Sequence, residues 1–186
     1  ADVWFMLEYS GRWGAKAFDD SDIAEEVKAA VNAQLAQIPN ARMMLIKRDG
    51  TSEDGLAFFA VVPAAERPRL YRFHLEGYAD LLDIELEALV DGREKYAPAI
   101  VKEPLILVCT NGMRDRCCAL NGIRAFHELN AEFGDLVWQS SHNGGHRFSA
   151  NLLCMPHGLS YGRADMGAGP AIVRAYLDGE LHLEPL

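Results

Sequence analysis

"LILVCTNGMRDRCCALNGIRAFHELNAEFG", residues 105–134, decides how the rest of the chain is read. It opens on an apolar run, 105–110, short enough for a buried strand. After a polar turn it enters a segment, 120–134, in which Ile123, Phe126, Leu129, Asn130 and Phe133 share one helical face before Gly134 stops it. Strand, turn and amphipathic helix make a unit that must bury its apolar side against a sheet.

Working outward, "LVWQSS" (136–141), "RFSANLLCM" (147–155) and "LSYGRAD" (159–165) read as strands, and "PAIVRAYLDG" (170–179) as a helix. The first half has the same outline. "VWFMLEY" (3–9), "RMMLIKR" (42–48), "LAFFAVV" (56–62) and "RLYRFHL" (69–75) read as strands. Between the first two lies "SDIAEEVKAAVNAQLAQI" (21–38), where Ile23, Val27, Val31 and Leu35 recur every four residues, Asp22 and Glu25 resemble a capping pair, and Pro39 follows. "RDGTSEDG" (48–55) is a turn by composition, "YADLLDIELEALVDG" (78–92) a helix, and "YAPAIVKEP" (96–104) the expected linker. The expectation is an α/β protein with mixed sheets covered by helices, divided into a supporting half, 1–97, and a second half, 98–186, that carries the chemistry.

Composition narrows the function. With 49% hydrophobic residues, 186 residues bury a core without disulfides. A formal net charge of -9 repels phosphate backbones and anionic membranes, which argues against nucleic acid and lipid surfaces as partners. The apolar runs fall short of the roughly 20 residues of a spanning helix, and no signal-like segment opens the chain, so a cytoplasmic protein is expected. The opening "ADVWFMLEY" does not begin with Met and enters a strand pattern at once, so residues upstream of Ala1 are expected to have been lost or removed. Three of the four cysteines crowd into ten positions, favouring metal or redox chemistry over a disulfide framework.

Cys109 and Cys118 are followed by "SHNGGH" (141–146), where Gly144 and Gly145 make a helix improbable and put His142 and His146 on a tight loop. Two cysteines and two histidines beside strand ends point to a metal centre. Zinc cysteines usually sit two to four residues apart, whereas here eight residues intervene, so an iron-sulfur cluster fits better. A core of two ferric ions bridged by two sulfide ions carries +2, so with two thiolates and two neutral imidazoles the site is neutral, where four cysteines would leave -2. The order differs from Rieske centres, in which one cysteine and one histidine occur together twice. Cys154, in an apolar strand, reads as core, and His74, His127, His157 and His182 as scattered histidines without a ligand role.

"VCTNGMRDRCC", "VWQSSHNGGHRFSANLL" and "PHGLSYGR" resemble the sucrase/ferredoxin-like family, and "ADVWFMLEYSGRWG" and "RLYRFHLEGYADLLDIEL" extend the resemblance over nearly the whole chain. It implies a thioredoxin-like second half and a [2Fe-2S] centre with Cys109 and Cys118 on one iron and His142 and His146 on the other, the histidines standing where related ferredoxins have cysteines. The chain carries Asn111 where family members commonly have histidine, and Asn143 where they have an apolar residue. Cys117 adjoins Cys118 and offers a rival thiol; Cys118 is the expected ligand and Cys117 the bystander. Asn111, Cys117, Arg114, Arg116 and Arg147 are expected to surround and tune the centre, and these arginines with Arg163 to offset the charge of its reduced state or to meet an acidic redox partner.

The functional expectation is a one-electron carrier or redox sensor rather than an enzyme, with an unidentified protein partner and a potential raised and made pH-dependent by histidine ligation. There are two rivals: a thioredoxin-like thiol oxidoreductase using Cys109, Cys117 or Cys118, which lacks its usual C-x-x-C and leaves the histidines without a role, and a structural zinc protein using the same four ligands. Glycoside hydrolysis would need a defined carboxylate pair, and the sequence singles out none.

Overall fold

The computed structural model describes residues 2–49, 55–64, 66–164 and 167–183, and of His146 the backbone alone. The first half runs β1 (Val3–Glu8), α1 (Glu25–Leu35), β2 (Ala41–Lys47), β3 (Leu56–Val62), β4 (Arg69–Leu75) and a short α2 (Leu86–Val90). The second runs β5 (Leu105–Cys109), α3 (Ile123–Phe133), β6 (Val137–Ser140), β7 (Leu152–Met155), β8 (Leu159–Tyr161) and α4 (Ala168–Leu177). Among the described residues all eight strands join one mixed sheet in the order β4-β3-β1-β2-β6-β5-β7-β8.

The order is symmetric about its middle. In each half the first strand pairs in parallel with the second, which a crossover helix makes reachable, and antiparallel with the third. The halves meet where β2 and β6 run antiparallel, Ile46 opposite Ser140 and Lys47 opposite Gln139. The contact extends past the strand end, since the Ser141 amide donates to the Leu45 carbonyl at 2.7 Å and the Leu45 amide to Ser141 Oγ at 3.0 Å.

Alternation along the strands sorts the side chains. Phe5 and Leu7 face α1 and its Val27 and Val31, while Ile106 and Val108 face α3 and α4 through Phe126, Leu129 and Ile172. The alternate residues, Trp4, Met6, Leu105 and Leu107, meet on the other face with Phe59, Trp138 and Met155 in a core common to both halves. A side chain on Gly158, in the turn between β7 and β8, would lie 3.2 Å from the Trp4 ring, although Trp4 is four strands away from β7 in the sheet. The sheet is therefore curled around this shared core, and the α/β class with a thioredoxin-like second half stands.

Several boundaries move. The helix expected over 21–38 is reduced to Glu25–Leu35, with no side-chain cap; Asp22 instead accepts the Tyr9 hydroxyl at 2.7 Å. The helix expected over 78–92 breaks into a 3-10 segment, Tyr78–Asp83, and α2. The expected linker packs on β4, with the Val101 amide bonded to the Leu70 carbonyl at 2.9 Å and Ile100 bridged to Tyr71. The strand expected over 147–155 starts only at Leu152, because the preceding residues close the histidine loop, and the strand expected over 159–165 ends at Tyr161, before Arg163 turns at φ 53°. Most of the turn expected over 48–55 lies outside the described residues.

Candidate metal centre

The centre lies at the end of β5, beside the β2–β6 junction. Cys109 ends the strand, its amide held by the Asn151 carbonyl at 3.1 Å. The loop that follows is organised by Asn111, which is almost fully buried. Its Oδ1 accepts the Met113 amide at 3.1 Å, its Nδ2 donates to the Gly14 carbonyl at 3.0 Å, and its own carbonyl accepts the amides of Arg114 and Asp115. Asp115 then takes the Cys117 amide on Oδ1 at 2.8 Å, and the chain turns into a single wide π turn, Cys118–Gly122, that leads into α3. Such turns recur at functional sites because they rotate one side chain out of the regular helical register. The turn lies so close to the strand that a Cβ on Gly122 would meet the Cys109 carbonyl oxygen at 2.0 Å. Glycine is what lets the two cysteines converge.

His142 arrives from β6 through Ser140 and Ser141. The loop beyond it bends at Gly144 and Gly145, with φ of 101° and 66°, a region open to glycine at little cost. Two side chains fix this loop: Arg42 of the first half donates to the Asn143 carbonyl at 2.6 Å, and Asn151 Nδ2 to the Gly144 carbonyl at 3.0 Å.

The result is a compact donor set. Cys109 Sγ and Cys118 Sγ each lie 3.9 Å from His142 Nδ1, and all three donors are within 4.8 Å of one another. Both cysteines are fully buried and His142 is half-buried. Burial, helped by the neighbouring Cys109, pushes the Cys118 thiol up to about 12. At neutral pH the thiol therefore keeps its proton until a cation takes that proton's place, which is the usual coupling of metal binding to proton release. Cys109, Cys118 and His142 form a group able to hold a metal ion.

The other expected residues fall as follows. The His146 side chain lies outside the described residues; its backbone opens a 3-10 segment, His146–Phe148, four positions after His142. Cys117 is exposed and outside the donor group, and its carbonyl accepts the Ser149 hydroxyl at 2.8 Å. Cys154 is buried in the core, where desolvation raises its thiol to about 12. Arg114, Arg116, Arg147 and Arg163 are exposed around the site. His157 Nδ1 meets the Tyr176 hydroxyl at 2.8 Å, and His127 faces Asp49 at 3.6 Å, both away from the donor group.

Sequence reasoning did not find Gly122, Arg42, Asn151 or the Gly14 carbonyl as parts of the site. Gly122 left a trace, a glycine in the first turn of an expected helix, which costs stability unless packing requires it. Asn143 adds a further feature: both polar atoms of its carboxamide are buried with no partner among the described residues. Buried carboxamides are normally paired, so these atoms are available to a bound group.

The fold and donor set define a thioredoxin-like α/β protein with a cysteine and histidine group able to hold a metal ion at the end of a central strand. The chain belongs to the sucrase/ferredoxin-like family, whose profile matches residues 1–185. No curated protein and no solved structure matches it. No helix among the described residues is long and apolar enough to cross a membrane.

Proposed function

We propose that the chain holds a [2Fe-2S] cluster through Cys109, Cys118, His142 and His146 and exchanges single electrons with a protein partner. The observation that carries this is the convergence of two buried thiols on the nitrogen of a loop histidine, in a family named for its ferredoxin likeness. When bound, such a group supplies a one-electron site whose histidine ligation raises the potential above that of all-cysteine plant-type clusters. The chain's own residues do the rest: the core around Cys109 and Cys118 excludes water, Gly122 brings the thiols together, and Arg42 and Asn151 anchor the loop that carries the histidines.

One observation favours a second reading. Two sulfurs equidistant from one nitrogen describe the edges of a single tetrahedral site, where bonds of about 2.3 Å to sulfur and 2.1 Å to nitrogen give an S···N edge near 3.6 Å. A zinc ion would close on the donors almost where they stand. A two-iron centre with the cysteines on one iron requires the His142 ring to open away from the sulfurs, a movement its glycine loop permits. The thiol oxidoreductase reading is weaker, since Cys109 and Cys118 are both buried and the Cys118 thiol is raised, where a nucleophilic cysteine needs exposure and a lowered pKa, which leaves that reading resting on exposed Cys117 alone.

Iron, sulfide and zinc analysis of anaerobically purified protein separates these readings. Iron and sulfide in equal amounts, a coloured sample and a paramagnetic reduced state support the cluster. A colourless, zinc-loaded protein with neither iron nor sulfide overturns it. In the cluster-bearing protein the midpoint potential should fall as pH rises, because reduction favours the protonated imidazole; a potential flat from about pH 6 to 10 removes the proton coupling.

A further inference from the structure

The surface beside the donor group combines exposed apolar side chains with arginines. Met113 is 73% exposed, Leu120 67% and Phe148 53%, and all three lie on the segments that carry the cysteines and the histidine loop. The segments that carry them pack together: a Cβ on Gly112, beside Met113, would meet Ala119 Cβ, beside Leu120, at 2.6 Å. The Ser149 hydroxyl bonds the Cys117 carbonyl, Asn121 Nδ2 bonds the Ser149 carbonyl at 3.3 Å, and the Arg163 amide bonds the Phe148 carbonyl at 2.7 Å while its guanidinium covers the Phe148 ring.

Charge marks the same surface. Residues 110–124 and 141–163 contain five arginines, Arg114, Arg116, Arg124, Arg147 and Arg163, against one carboxylate, Asp115, in a chain with 18 basic and 27 acidic residues. All five arginines are exposed, and Arg114, Arg116, Arg124 and Arg147 form no ion pair among the described residues. The Asp115 side chain is turned to the Cys117 amide, Asp19 borders the groove beside His142 that Lys16, Arg42 and Arg114 also line, and Glu128 follows Arg124 one turn on in α3. Arginine suits such a rim, because its weakly hydrated guanidinium pairs with carboxylates at little desolvation cost.

We infer that this arginine-rimmed apolar surface, Met113, Leu120 and Phe148 with the five arginines, is the docking face for an acidic electron-transfer protein. The inference takes its purpose from the electron-transfer reading. An electron leaves most easily through the thinnest cover over the donor group, and exposed Cys117, next in sequence to buried Cys118, shows where that cover is thin. The apolar residues give a small dry centre of the kind transient redox complexes use, and the arginines steer an acidic partner into register. With its overall charge of -9, a second copy of this chain is repelled from most approaches.

The probe is a fluorescently labelled flavodoxin, an acidic one-electron protein, and the readout is its association with the full chain as purified, measured by anisotropy at low and high salt. The expected result is binding that weakens at least about tenfold from low to high salt, and about tenfold at low salt in the Arg116→Glu/Arg124→Glu variant, with a clearly smaller loss in Arg67→Glu/Lys102→Glu, which makes the same change in net charge outside the segments that carry the cysteines and the histidine loop. Met113→Ala/Leu120→Ala should weaken binding at every salt concentration. Equal losses in the two charge-reversed variants, or salt-insensitive binding, would overturn the inference. So would self-association that disappears on charge reversal, which makes the surface a contact between copies. Because association is read without electron transfer, a sample devoid of iron would sink the cluster reading while leaving this test intact.

Discussion

Glu8 and Cys109 occupy the same place in the two halves. Each is the last residue of its half's first strand, Glu8 opposite Ile46 and Cys109 opposite Ser140, and Ile46 and Ser140 face each other across the junction. Counting on from those partners, Arg48 stands where His142 stands. The frame is the same and the use is different. Glu8, buried, accepts the Ala57 amide at 2.8 Å, and Arg48 stacks on Trp138, so both serve packing and hydrogen bonding. Cys109 and His142 at the same stations turn inward to each other and to Cys118. The comparison teaches that the topology offers a site at each strand end and that the residues there decide whether it becomes one.

The sharpest way to break this comparison is to exchange the strand ends for inert residues. Cys109→Ser should lower bound metal by more than about tenfold, since a ligand is lost and ligand chemistry dominates affinity. Glu8→Ala should leave metal content at the wild-type level while costing about 1–3 kcal/mol in denaturant unfolding, because the buried Ala57 amide loses its acceptor. Equal metal loss in the two variants would contradict the division of labour.

A smaller effect comes from glycines. Gly122→Ala drives a methyl group into the Cys109 backbone and should cost about 1–3 kcal/mol and speed metal release. Gly77→Ala, at extended φ with nothing within 4 Å, should change stability by less than about 0.5 kcal/mol.

Alkaline titration probes both halves at once. Burial raises the Cys154 thiol in the second half and the Tyr78 phenol in the first to about 12 from ordinary values of 9.0 and 10.0. The folded state then holds protons that the unfolded chain has released. The stability each group contributes is complete below its unfolded pKa and is lost as pH rises toward 12. Cys118 adds to this loss in the metal-free protein. Cys154→Ala should flatten the decline that begins near pH 9, and Tyr78→Phe only the part above pH 10, as followed by urea unfolding. The smallest effect belongs to the bridge between halves: Arg42→Ala, removing an exposed hydrogen bond to the Asn143 carbonyl, should raise metal dissociation a few-fold, worth about 1 kcal/mol or less.

Much of this was legible in the sequence, for reasons the structure makes plain. β3 and β4 lie where the apolar and alternating runs placed them, because strands with buried faces write their period into the chain. The cysteines and histidines were legible as candidates from chemistry and spacing, and the fold brings Cys109, Cys118 and His142 together. The ends of α1 were not legible, because Asp22 is engaged by Tyr9 instead of capping the helix. Strand β7 starts late because Asn151, just before it, is turned to the Gly144 carbonyl to hold the histidine loop. Arg42 and the Gly14 carbonyl were invisible as site residues, since each meets its partner across about a hundred residues of chain. The tight packing of Gly122 on Cys109 is a property of two elements meeting, which no local pattern records.

The most direct test of the central claim is electron-nuclear double resonance on the dithionite-reduced protein, prepared with ¹⁵N-labelled histidine. The account predicts strong ¹⁵N coupling to the reduced centre, altered or lost in His142→Ala but retained in Cys117→Ala. A reduced cluster without histidine nitrogen coupling, or one whose coupling is indifferent to His142, would contradict it.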